Sequence, residues 1–180
     1  MSGAKIVIHF VPLNAFEPGQ NYELHRIARY FNEVGPLGVG GWDQTINFEG
    51  LINQGGPPHK GCEAYAQLFR SGIVEAVNAS ILAPSDGKLL IPSLHSLNYE
   101  LKIIDFAERY LKFIKEQNIS LPVFAFLTLI HVKEYAMEAR EIYWRGRPPV
   151  VIDRENLMLP EFIIENYNSD LPALFKPAFD

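Results

Sequence analysis

The stretch that decides the fold is EAYAQLFRSGIVEAVNASIL, which occupies positions 63–82. It contains two apolar-rich runs with many β-forming residues, at 64–69 and 73–79. A tight turn signal, Ser71 followed by Gly72, lies between the two runs. Two such runs around a short turn are typical of a β-hairpin. The sequence therefore predicts a hairpin, and the other elements are placed around it.

The register of this hairpin follows from how its side chains segregate. A two-residue loop would set Leu68 opposite Glu75 and mix polar with apolar groups on both faces. A three-residue loop at 70–72, with Gly72 at the positive-φ position of a bulge, pairs Leu68 with Val74. Because a slip of one residue would exchange the two faces, the cleaner segregation favours the longer loop. The expected core face is Ala66, Leu68, Val74 and Ala76, and the mixed face carries the candidate interface residues Tyr65, Phe69 and Ile73.

Hydrophobic periodicity predicts the remaining elements. The expected strands are 4–13, 45–53 (interrupted at Gly50), 88–91, 123–137 and 156–165, and the expected helices are 21–34 and 94–118, followed by an irregular tail. The strands come in runs between two helices rather than alternating with them. This order predicts an α+β fold, a mostly antiparallel sheet with two main helices packed on it. We expect residues 1–180 to form a single domain.

Composition restricts the class of protein. The 180 residues carry a formal net charge of −5, and an acidic balance argues against nucleic-acid binding by this chain alone. With Cys62 as the single cysteine, no disulfide can form within the chain, which fits a reducing cytosol. There is no apolar run of membrane-spanning length and no secretory signal pattern. We therefore expect a cytoplasmic location and no membrane partner.

The sequence contains no recognisable catalytic set. His59 and Cys62 have the spacing of half a metal site, but structural zinc normally needs four ligands. Cys62 as a nucleophile would need a base, and the histidines are scattered along the chain. His9 and His131 lie inside apolar strands, where we expect hydrogen-bonded structural histidines. The sequence predicts no enzyme, no catalytic residue, no metal and no cofactor.

Arginines close to aromatic residues are the best indication of a polar ligand. Arg145 and Arg147 follow Tyr143 and Trp144, and guanidinium groups with aromatic rings hold phosphates and bases. The glycine-rich segment 35–43 lacks the Lys-Ser/Thr of a P-loop, so a flexible connection is the competing interpretation. The candidate ligand-binding residues are Trp42, Asn47, Arg70, Arg145 and Arg147.

Four sequence segments together resemble those of a known family. They are AKIVIHFVPL, NFEG, YAQLFRSGIVEAV and LPALFKPAFD. They resemble the C-terminal region of bacterial proteins that carry an N-terminal Schlafen-like AlbA domain and are described as DNA-binding, ATP-binding or transcriptional-regulator proteins. The resemblance covers nearly the whole chain but includes no catalytic motif. It implies that this chain is cut from a longer protein, downstream of an AlbA domain that is absent here.

These observations leave three hypotheses open. The first is a non-catalytic regulatory or interaction domain of a bacterial DNA-binding or transcriptional-regulator protein. Its expected partners are the other domains of the parent protein or a second copy of the chain, with nucleic acid bound only through the parent. The alternative is a small-ligand or nucleotide-sensing domain. A hydrolase or nuclease ranks last.

Overall fold

A computed structural model of the chain describes residues 1, 3–56, 61–82, 93–138 and 151–179. The strands in these ranges are β1 (Lys5–Pro12), β2 (Asp43–Ile46), β3 (Gly50–Gly55), β4 (Ala64–Phe69), β5 (Val74–Asn78), β6 (Ser93–His95), β7 (Val123–Ile130), β8 (Ala136–Glu138), β9 (Asn156–Met158) and β10 (Phe162–Ile164). The helices are α1 (Leu24–Val34), α2 (Ser96–Glu116) and α3 (Leu171–Phe179).

The main sheet contains eight of these strands, in the order β10-β7-β1-β5-β4-β3-β2, and β9 also pairs with β7. Every pairing in this sheet is antiparallel. A separate parallel pair joins β6 and β8. The α+β fold class expected from the order of elements is confirmed.

The predicted hairpin register is confirmed. β4 and β5 pair Leu68 with Val74 and Gln67 with Glu75. The loop closes with the Phe69 amide donating to the Ile73 carbonyl at 2.8 Å. Gly72 has a φ of 94°, which favours glycine because a Cβ would be strained there. The side chains expected in the core are fully buried: Ala66, Leu68, Val74 and Ala76.

The core lies between one face of the sheet and the three helices. Every second residue of β1 is buried, including Phe10, whose ring stacks on Tyr110 of α2 with centroids 4.2 Å apart. Helix α1 buries a stripe of apolar residues at helical spacing, from Leu24 to Val34. Side chains from α1, α2 and α3 join the same buried cluster as the sheet. We call this side of the sheet the inner face and the opposite side the outer face.

The segment 45–53, expected to be one interrupted strand, forms the β2–β3 hairpin instead. The Asn47 side chain makes the turn, since its Oδ1 accepts the amides of Glu49 at 3.0 Å and Gly50 at 2.8 Å. Gly50 is the first residue of β3 and pairs with Phe69 of β4. A Cβ at position 50 would overlap the Leu68 carbonyl oxygen, so this glycine permits close approach of two strands.

The C-terminal tail, expected to be irregular, forms α3. The Asp170 carboxylate accepts the Ala173 amide at 3.2 Å, an N-cap interaction. Pro172 lies in the first turn, where a missing amide costs nothing. Phe175 is fully buried and meets Phe162 of β10 with centroids 4.3 Å apart. In the described part of the chain, α3 therefore packs on the sheet in addition to the two main helices that were expected.

Two other strand boundaries also differ from expectation. The strand beginning at position 123 ends at Ile130, because His131 has a left-handed φ of 57° and breaks the extended backbone. The final strand, expected over 156–165, is divided into β9 and β10. The expected strand at 88–91 lies outside the described residues.

The close approach at Gly50 yields a stability prediction. Gly50→Ala should lower the free energy of unfolding by about 1–3 kcal/mol, because the added methyl forces β3 away from β4. Gly40→Ala is the matched control, since Gly40 is exposed and has open space around its Cβ position. Urea unfolding followed by circular dichroism measures both. Equal stability of the two variants would contradict the packing described for β3.

Candidate functional site

The outer face of the main sheet is rich in apolar side chains. Side chains alternate along a strand, so residues next to the buried core positions point to this face. Most of them are half-buried, whereas Phe126 and Ile163 remain 39% and 43% exposed. Within the part of the chain that the structure describes, all three helices pack on the inner face. The outer-face apolar residues used below are Val7, Val11, Phe69, Ile73, Val77, Phe124, Phe126, Met158 and Ile163.

A polar cluster of His9, Glu75 and Tyr65 lies near the middle of this face. The strand register places His9 of β1 directly opposite Glu75 of β5. His9 Nε2 lies 2.8 Å from Glu75 Oε2, and the Tyr65 hydroxyl donates to Glu75 Oε1 at 2.5 Å. Each carboxylate oxygen therefore has its own partner, and three neighbouring strands together hold the cluster.

The contacts set the charge of the cluster. The hydrogen bond with His9 holds the pKa of Glu75 below its ordinary value of 4.5, and the Tyr65 hydroxyl adds to this effect against the opposing effect of burial. Burial raises the pKa of Tyr65 far above its ordinary value, and the neighbouring Glu75 carboxylate raises it further. At neutral pH, Glu75 is consequently a carboxylate and Tyr65 a neutral hydrogen-bond donor.

The surroundings of the cluster determine what it can do chemically. A histidine oriented by a carboxylate can move protons, but catalysis also requires a cavity that holds a substrate beside it. Two cavities of about 390 and 420 Å³ lie elsewhere, one beside α2 and α3 and the other beside α1 and the end of α2. Among the described residues, no group of three or more His, Cys, Asp or Glu side chains could hold a metal ion. Within the described residues, the cluster is therefore a hydrogen-bonded polar group that three neighbouring strands hold in position.

Two of the predicted ligand-binding residues, Asn47 and Arg70, lie at the same end of the sheet. Asn47 Nδ2 donates to Gln67 Oε1 at 2.9 Å, in addition to its role in the β2–β3 turn. Arg70 Nε donates to the Phe48 carbonyl at 3.2 Å. Both side chains thus link the β2–β3 turn to the β4–β5 hairpin.

Trp42 lies at the other end of β2, away from Asn47 and Arg70. Its indole Nε1 donates to Asn32 Oδ1 at 3.1 Å, and its ring covers Gly35 so closely that a Cβ there would meet ring carbons at 2.8–3.0 Å. The structure therefore does not bring Trp42 together with the other two. Arg145 and Arg147 lie outside the described residues, and their ligand role stays a prediction.

The predicted interface residues Tyr65, Phe69 and Ile73 share the outer face, as the hairpin register requires. Their role in an interface remains a prediction. The expectation of a hydrogen-bonded histidine inside a strand is confirmed for His9. It is wrong for His131, which lies at an exposed bend after β7, although its Nδ1 lies 2.7 Å from a Glu155 carboxylate oxygen. Sequence reasoning missed the pairing of His9 with Glu75, because the neighbour of β1 in the sheet was unknown.

Comparisons with known proteins identify no family for this chain. No family model, no curated protein and no solved structure matches this chain. The resemblance to proteins with a Schlafen-like AlbA domain therefore stays a prediction. The helices that the structure describes include none with the length and apolar character needed to cross a membrane.

The His9–Glu75 contact makes the stability of the chain depend on pH. Glu75→Gln should lower the free energy of unfolding at pH 7 by about 1.5 kcal/mol, because a charge-assisted hydrogen bond is lost. A carboxyl whose pKa is lowered by folding contributes stability above its unfolded pKa, and loses that contribution as the pH falls through the folded value. The difference in free energy of unfolding between the wild-type chain and Glu75→Gln should thus shrink as the pH falls below 4.5, the ordinary pKa of this carboxyl.

Glu161→Gln is the matched control, because Glu161 is an exposed carboxylate at the edge of β10. It should change the free energy of unfolding by less than about 0.5 kcal/mol at any pH. Urea midpoints measured from pH 3 to pH 7 test both variants. A deficit of Glu75→Gln that does not change with pH would rule out the assigned role of the carboxylate.

Proposed function

We propose that this chain is a non-catalytic interaction domain with a regulatory role in a larger bacterial protein, and that its outer face is the interface. The larger protein is of the kind that carries an N-terminal Schlafen-like AlbA domain, binds DNA and acts in the cytoplasm. Nucleic acid is bound by the other part of that protein, while this domain contributes protein contacts.

The observation that carries the proposal is the apolar character of the outer face. An antiparallel sheet can leave one face in water, but such a face is normally polar. Here Phe126, Ile163 and Met158 remain exposed by 39%, 43% and 79%, and half-buried apolar residues lie between them. Exposed apolar side chains grouped on one face in this way are typical of protein–protein contacts. The exposed side chains therefore support a partner that covers the face.

The His9–Glu75–Tyr65 cluster fits the same role. A polar group can be removed from water at low cost only if its hydrogen bonds are already made. Both Glu75 oxygens have partners within the chain. A partner can consequently cover the cluster at low cost. Because the cluster is a polar group among apolar side chains, it also defines how that partner is oriented.

The charge of the chain supports protein contacts over nucleic-acid contacts. The formal net charge is −5, and a surface that wraps a phosphate backbone needs an excess of Lys and Arg. The cluster at the middle of the outer face pairs one imidazole with one carboxylate, so it adds no excess of basic groups to this face. These charges therefore support a protein partner rather than a phosphate backbone.

Hydroxyl-radical footprinting read by mass spectrometry tests the proposal. In the larger protein, Phe126 and Met158 should be oxidised several-fold more slowly than in the isolated chain at high dilution, because a partner surface covers them. Phe48, which is 95% exposed at the β2–β3 turn, and Phe16, which is 72% exposed, are internal controls that should be oxidised equally in both samples. Unchanged oxidation of Phe126 and Met158 would refute the proposed interface.

A further inference from the structure

A partner for the outer face can be named from the geometry of the face itself. Resting on the proposed function, we infer that the partner is a second copy of this chain, packed face to face as two stacked sheets. The two-fold axis runs parallel to the strands, between β1 and β5. His9 of each copy then faces Glu75 of the other copy.

The area of the face reaches the lower end of the range for a specific dimer. β1 has eight residues, and an eight-residue strand is about 26 Å long. The axis leaves β2 without a counterpart, because three strand positions lie on the β1 side of it and four on the β5 side, so six positions overlap and span about 24 Å. The overlapping face therefore covers at most roughly 600 Å² per copy, at the lower end of the range for specific interfaces.

The positions of His9 and Glu75 select the direction of the axis. The two residues are directly opposite each other on adjacent strands. A two-fold axis parallel to the strands and midway between them exchanges the two positions, so each imidazole faces a carboxylate of the other copy. An axis across the strands would instead set Glu75 against Glu75, and like charges at an interface cost several kcal/mol. Charge complementarity therefore favours the first arrangement.

The same axis also matches apolar positions with one another. Val7 and Val77 pair across β1 and β5, so Val7 of one copy faces Val77 of the other. Val11 and Ile73, one step beyond the Phe10–Val74 pair that ends this register, are exchanged in the same way. One strand further out, Phe124 of β7 faces Phe69 of β4. The interface thus contains a row of four apolar positions on one side of the polar centre and the Val7–Val77 contact on the other, and each contact occurs twice, as in any isologous interface.

Burial of the polar centre is compatible with this arrangement. An unpaired carboxylate at the middle of an interface would be costly to desolvate. Glu75 brings its own partners, since His9 and Tyr65 occupy its two oxygens within each copy. In the dimer, the His9 imidazole of the other copy becomes a second neighbour of the Glu75 carboxylate.

Sedimentation velocity on the intact chain tests the inference in buffer of about 0.15 M salt, where charges beyond roughly 8 Å are screened. The wild-type chain should sediment with twice its 20.4 kDa mass at micromolar concentration. His9→Glu and Glu75→His should each weaken the dimer by at least about tenfold, because like groups then face each other across the axis. An equimolar mixture of the two variants should form dimers again, since the carboxylates of one variant face the imidazoles of the other.

Three outcomes would overturn the inference: a monomeric wild-type chain, single variants that remain dimeric, or a mixture that stays monomeric although both variants fold. Circular dichroism and urea unfolding establish folding of each variant. Phe48→Ser is the matched surface control and should leave the mass unchanged, because Phe48 lies in the β2–β3 turn, at the edge of the sheet and away from the axis between β1 and β5. A monomer whose Phe126 and Met158 are protected in the larger protein would refute the second copy but not the proposed function, whereas a monomer without that protection would refute both.

Discussion

The register of the β4–β5 hairpin is the constraint on which the rest of the structure depends. It turns Leu68 and Val74 toward the helices and Glu75 toward the outer face. A slip of one residue would put the Glu75 carboxylate into a core that offers apolar neighbours, at a cost of several kcal/mol. The three-residue loop ending at Gly72 fixes this register locally, before any distant strand is added.

The two faces that result have different tasks. The inner face packs against three helices and accounts for the core, with stacked rings such as Phe10 and Tyr110 at its centre. The outer face contributes less to that core and carries the His9–Glu75–Tyr65 cluster among apolar side chains. Stability and recognition are therefore assigned to opposite sides of one sheet, so a substitution at Phe126 can change association without removing a buried core residue.

Local patterns were enough to predict much of the fold. The hairpin register, the long helix around Tyr99 to Ile114 and the α+β class depend on turn residues and on hydrophobic periodicity, which act over short distances. Helix α3 was missed because Pro172 and Pro177 argue against a helix in sequence, whereas Asp170 caps it and Phe175 anchors it to β10. The tertiary contact of Phe175 is not visible in the local sequence.

The candidate site was less predictable, for a physical reason. His9 and Glu75 are 66 positions apart, and they meet only because β1 inserts between β5 and β7. The order of strands in a sheet depends on long-range pairing, which a local pattern does not encode. Sequence reasoning therefore located Tyr65 and its face correctly but not the partner that completes the cluster. Asn47 and Arg70 illustrate the converse, since residues proposed as ligand contacts have internal turn contacts.

Cross-linking between defined positions is the most direct test of the central claim, that two outer faces pack with β1 over β5. Phe124→Cys and Phe69→Cys, each combined with Cys62→Ser, are mixed and treated with a short bismaleimide. The mixture should give a covalent dimer of one copy of each variant, because Phe124 faces Phe69 of the other copy. Phe124→Cys alone should give little, because the two Phe124 positions lie three strand spacings, about 14 Å, further apart along the sheet. Equal cross-linking of Phe124→Cys with itself, or no cross-linking in the mixture, would contradict this arrangement.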